Sequence, residues 1–100
     1  MKDQIKKTID SIIHILSSNP TASRWVSPFE TLRSELDIDY DSAVQSLKAL
    51  FGGMGSFNDL VLHTDGIPLR SENNELDELS HILYEQLKTA ILSRRANSDL

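Results

Sequence analysis

Apolar side chains recur at three- and four-residue steps at both ends of this chain, and few architectures accept that spacing. Ile5, Ile9, Ile12, Ile13 and Leu16 form the stripe of an amphipathic helix over residues 3–18. Leu76, Leu79, Ile82, Leu83, Leu87, Ala90 and Ile91 form a longer stripe that reaches Ser93. At about 1.5 Å per residue the second helix spans about 30 Å, enough to brace a small domain. With 100 residues, 39% of them hydrophobic, the chain suits one domain (1–100) with one modest core.

Punctuation divides the segment between the two stripes. Pro20 disfavours a helical Asn19 and closes the first helix. A second helix carries Phe29, Leu32 and Leu36, with Pro28 in its first turn and Trp25 and Val26 in a short turn before it. Ser27 and Glu30 have the spacing of a capping box. A third helix, capped by Asp41 or Ser42, buries Ala43, Val44, Leu47, Leu50 and Phe51. Three of the four glycines then fall together as Gly52, Gly53 and Gly55, where a helix ends and the chain turns a corner. Ser56 caps the segment after the corner, and Asn58 and Asp59 hold the turn by bonding to helix-end N–H groups. A short helical or irregular piece runs to Leu62. Residues 63–71 read as a surface loop on the strength of Asp65-Gly66 and Pro68. Asn73 or Asn74 caps the last helix, whose early acidic residues suit the positive end of its dipole. Arg94 and Arg95 suit the other end, and residues 96–100 fray. The expected fold is all-α: a compact single-domain bundle of four to five helices with a glycine-rich corner at 52–56.

Net charge is −5 and unevenly spread. Glu30, Glu35, Asp37, Asp39 and Asp41 stand against Arg33 alone, and Glu72, Glu75, Asp77 and Glu78 have no base among them. Such blocks repel nucleic-acid phosphates and attract a cationic partner. Trp25, the one tryptophan, suits a core anchor whose indole N–H needs an acceptor if buried.

Several chemistries fail on spacing. There is no cysteine, and His14, His63 and His81 are far apart, so no metal site or cofactor is expected. Asp37, Asp39 and Asp41 superficially resemble a calcium loop, but Ser42 stands where its glycine belongs and Lys48 where its bidentate glutamate belongs. Gly-Met-Gly-Ser-Phe is not the Gly-x-Ser-x-Gly elbow, so Ser56 with His63 is a poor nucleophile and base. No run approaches the roughly 20 apolar residues of a membrane span, and Asp10 and His14 interrupt any signal-peptide core. The chain reads as a cytoplasmic protein that catalyses nothing.

Leu50-Phe51-Gly52-Gly53-Met54-Gly55-Ser56-Phe57-Asn58-Asp59-Leu60-Val61-Leu62 resembles the core motif of a small bacterial domain family of unknown function. In that family a tryptophan-bearing helix precedes the glycine corner and a long leucine-rich helix comes after it. Trp25, Leu32, Leu47 and Leu50 upstream, and Glu75, Leu76, Leu79 and Leu83 downstream, are similar in placement over residues 24–92; Pro28 departs from the pattern. Small acidic proteins of this kind also resemble the immunity proteins that bacteria encode beside toxins, including contact-dependent inhibition systems. That resemblance implies one-to-one binding to a cognate toxin domain, a cationic nuclease, through Glu35, Asp37, Asp39, Asp41, Glu72, Glu75, Asp77 and Glu78. The alternative is a regulatory binding module with a ligand at the glycine corner.

Overall fold

The computed structural model describes residues 1–51, 57, 60–64 and 66–98, with no side chains described over 94–98. Four α-helices make up most of it: α1 (Lys2–Ser17), α2 (Val26–Glu35), α3 (Tyr40–Ala49) and α4 (Arg70–Ser98). A 3-10 turn, Pro20–Trp25, joins α1 to α2, and a hairpin of β1 (His63–Thr64) and β2 (Ile67–Pro68) precedes α4. The protein is an all-α bundle. Each helix packs mainly on two neighbours, in the cyclic order α1, α2, α3, α4.

The isoleucine stripe does what its spacing dictates. Ile5, Ile9, Ile12 and Leu16 are fully buried, and Ile15 nearly so, against Leu83, Leu87 and the rest of one continuous core. α1 stops where Pro20 forces Asn19 into extended backbone (φ −126°, ψ 104°). The buried Asn19 amide donates back at 2.7 Å to the Ile15 carbonyl, which also accepts from the Ser18 N–H at 3.2 Å. His14 lies outside the packing, exposed in the last turn of α1.

Four expectations about helix ends and the loop are corrected. α2 begins at Val26, one residue early, so Ser27 lies inside the helix and forms no capping box; Pro28 still falls in the first turn, where its missing N–H costs nothing. α3 is capped by Asp39, whose carboxylate accepts from the Ser42 N–H at 3.2 Å, and not by Asp41 or Ser42. α4 begins at Arg70, which puts Asn73 and Asn74 within the helix, and it continues through Ser98. At about 1.5 Å per residue it is about 43 Å long, most of the molecule's 54 Å long axis. Finally, 63–68 is a hairpin, with His63 opposite Pro68 and Thr64 opposite Ile67. Gly66 takes φ +80°, a conformation open to glycine.

Gly52, Gly53, Gly55, Ser56, Asn58 and Asp59 lie outside the described residues. The two ends of that corner are placed. Phe57 donates its N–H to the Leu50 carbonyl at 2.9 Å, so the chain leaves and re-enters at the end of α3. Phe57 then meets Trp25, Phe29 and Phe51 edge-on, with centroids 5.4, 4.8 and 5.8 Å away. Trp25 is only half-buried, and its enclosed Nε1 finds no acceptor among the described residues.

Candidate functional site

The two acidic blocks, alike in sequence, differ in the fold. In the first, Asp37 is held by α1: Lys6 Nζ lies 2.7 Å from one carboxylate oxygen and Lys2 Nζ 3.2 Å from the other. Asp39 is occupied as the α3 cap, Asp41 is engaged as well, and Glu35 is half-buried at the end of α2. The neighbouring Arg33 reaches Asp10 with Nε and with Nη2 (3.0 Å). Residues 35–41 are thus tied largely to the molecule's own surface.

The hydrogen bonds from Lys6 and then Lys2 hold the Asp37 carboxyl below its ordinary value. A depressed folded-state value means the stabilisation is present above the unfolded carboxylate value and is lost as pH falls through the folded one. Asp37→Asn is therefore expected to lower Tm at neutral pH, with the gap from wild type closing below about pH 4. Melting curves across that range, in low salt because the pair is exposed, check this. A gap that persists in acid would refute a carboxylate role.

The second block is open. Glu72, Glu75, Asp77 and Glu78 are exposed on the first three turns of α4, and Glu72 lies in the first turn, where the helix dipole favours negative charge. None forms an ion pair among the described residues.

This block borders a groove. Phe51, Phe57 and Leu60, from the two ends of the glycine corner, face Leu76, Asp77, Ser80, His81 and Tyr84 of α4 across a cavity of about 290 Å³. The floor is apolar: Phe51 is 9% exposed, and Phe57 and Leu76 are 3%. The α4 wall comes from helical spacing, since Asp77, His81 and Tyr84 stand four and three residues apart and share a face. Tyr84 is braced from inside by Phe51, edge-on at 5.5 Å. Spacing alone does not single out Phe51, Leu60, Ser80, His81 and Tyr84 for binding. The shared face of Asp77, His81 and Tyr84 is the one signal the sequence holds, and the opposing wall needs the fold.

Among the described residues no group of three His, Asp or Glu side chains could hold a metal ion, and no helix is long and apolar enough to cross a membrane. His63 is exposed on β1, its Nδ1 3.2 Å from the Val61 carbonyl.

Comparison with known proteins places the chain at family level. No curated protein and no solved structure matches it. The family described as Domain of unknown function (DUF6966) matches residues 18–70, a stretch containing the 3-10 turn, α2, α3, the glycine corner and the hairpin. The match overlaps the resemblance noted over 24–92 and ends where α4 begins, so one groove wall lies inside it and the other beyond it. Matched over more than half its length, the chain belongs to the DUF6966 family.

Proposed function

We propose that this protein is a non-catalytic inhibitor that binds a basic protein domain, as the immunity partner of a bacterial toxin, and acts in the cytoplasm. The observation that carries the reading is the open carboxylate block Glu72, Glu75, Asp77 and Glu78 on one helix end. A nuclease surface built to hold phosphates carries clustered lysine and arginine, and exposed carboxylates compete for the same positions. Residues 35–41 contribute less, because Asp37 and Asp39 would have to give up internal partners to meet an outside cation.

The test is calorimetric titration against the toxin domain encoded by a neighbouring reading frame. Neutralising the α4 block (Glu72→Gln, Glu75→Gln, Asp77→Asn and Glu78→Gln together) should weaken one-to-one binding about tenfold or more and flatten its salt dependence. Neutralising Asp37, Asp39 and Asp41 should weaken it less. Binding that ignores the α4 variant and keeps its salt slope would sink the proposal.

The groove favours a second reading, a regulatory module with a small ligand beside the glycine corner. Its roughly 290 Å³ falls at the lower edge of the roughly 300–1,000 Å³ typical of small-molecule sites. That size suits one side chain better than a metabolite, and the second reading ranks behind the first. A metabolic gene neighbourhood without a toxin frame would reverse the order.

A further inference from the structure

We infer that the groove between Phe51, Phe57 and Leu60 on one side and α4 on the other seats a single arginine side chain of the basic partner, a deepening that rests on the proposed binding of a cationic protein. The cavity sets three conditions on an occupant. Phe51, Phe57 and Leu76 give it a narrow apolar floor, on which a slim apolar stem can lie. Its rim carries Asp77 as the one carboxylate, beside Ser80 and His81, so the tip that suits it is cationic. Its volume of about 290 Å³ admits one long side chain and little more.

Arginine meets these conditions better than lysine. A guanidinium can engage the Asp77 carboxylate with two N–H groups, donate to the Ser80 hydroxyl and lie against the Tyr84 ring at once. An ammonium can make one such contact well. The fold already uses both contacts that this occupant would make. Arg33 grips Asp10 through Nε and Nη2, and the Arg24 guanidinium sits over the Trp25 ring at 5.7 Å from its centroid. Tyr84 itself accepts a cation, since Lys88 Nζ stands 5.5 Å from its ring centroid; Lys88 is held by Glu85 and does not line the groove.

The experiment needs no toxin. Nα-acetyl-arginine amide is titrated into the full isotope-labelled chain, and backbone amide shifts are tracked by NMR. Saturable shifts are expected at Leu76 to Tyr84 and at Phe57, with little response to the neutral isostere Nα-acetyl-citrulline amide and a weaker one to the lysine derivative. Asp77→Asn should weaken arginine binding about tenfold while the rest of the spectrum stays that of the folded chain. The assignment is overturned by any of four results: equal response to citrulline, equal response to lysine, shifts that map elsewhere or are absent up to the solubility limit, or an indifferent Asp77→Asn. Those results would leave toxin binding through the α4 carboxylates standing. Conversely, arginine seating without toxin binding would overturn the immunity reading alone.

Discussion

Phe29→Ala is expected to destabilise the protein by about 3–5 kcal/mol, the cost of truncating a fully enclosed phenylalanine. Phe29 is 0% exposed and is the only buried residue within α2 itself. It is also nearest to Phe57 of the three rings that meet that side chain, at 4.8 Å and 73°. Truncation therefore removes a side chain's burial, opens a cavity where α2 meets the core, and deletes the ring that holds the exit of the glycine corner. Domains of this size have only about 5–15 kcal/mol of stability in total. Tm should fall by roughly 12–40 °C, taking about 4–8 °C per kcal/mol. Leu92→Ala, at a position 61% exposed, should stay within about half a kcal/mol of wild type. Denaturant melts of the two variants decide the point, and a Phe29→Ala loss no larger than the Leu92→Ala loss would mean that α2 is not anchored through this ring.

The parts of the fold legible in the sequence are those fixed by short-range spacing. Ile5, Ile9, Ile12 and Leu16 announce a buried stripe because they are three or four residues apart, and Pro20 marks its end because the clash with Asn19 is local. Errors begin where several residues compete for one local role. Asp39, Asp41 and Ser42 can all cap a helix, and only the backbone register, with Asp39 at ψ 86° before the helical Tyr40, decides among them. The hairpin at 63–68 was within reach, because Asp65-Gly66 between Thr64 and Ile67 is a strong two-residue turn signal. Two-residue strands are too short for alternation to reveal, and the segment reads as loop.

The candidate site was legible as charge and illegible as geometry. Asp37 and Asp77 sit in similar acidic runs, and no local pattern says that Lys6, 31 residues before Asp37, will neutralise one and leave the other open. Such pairing is a consequence of α1 lying beside the α2–α3 connection. The groove obeys the same logic: its α4 wall is one helical face readable at steps of four and three, whereas Phe51 and Phe57 join it only because the chain returns to Leu50 after the corner.

Asn73 separates local from tertiary reading most sharply, and it carries the second large expected effect. Its position suggests a helix cap, but its side-chain amide instead binds the backbone of Leu62 as a neighbouring strand would. Asn73 Oδ1 accepts from the Leu62 N–H at 2.7 Å, and Nδ2 donates to the Leu62 carbonyl at 2.9 Å. Leu62 is fully buried, so its N–H has no ready access to water if this partner is lost; its carbonyl retains the Leu69 N–H at 2.9 Å. Asn73→Ala should therefore cost about 2–3 kcal/mol, near the upper range for orphaning a buried donor, and should abolish hydrogen-exchange protection at the Leu62 amide. Asn73→Asp is the discriminating variant. A carboxylate in the first turn of α4 suits the helix dipole, so a purely helix-end role predicts a neutral or stabilising change. The clamp predicts the reverse: aspartate keeps the acceptor, loses the donor and sets an anionic oxygen against the Leu62 carbonyl. Destabilisation by Asn73→Asp comparable to Asn73→Ala would establish that this side chain joins the segment after the glycine corner to α4 and so fixes the two walls of the groove. A stabilised Asn73→Asp would mean that the Leu62 clamp contributes little beside the helix dipole.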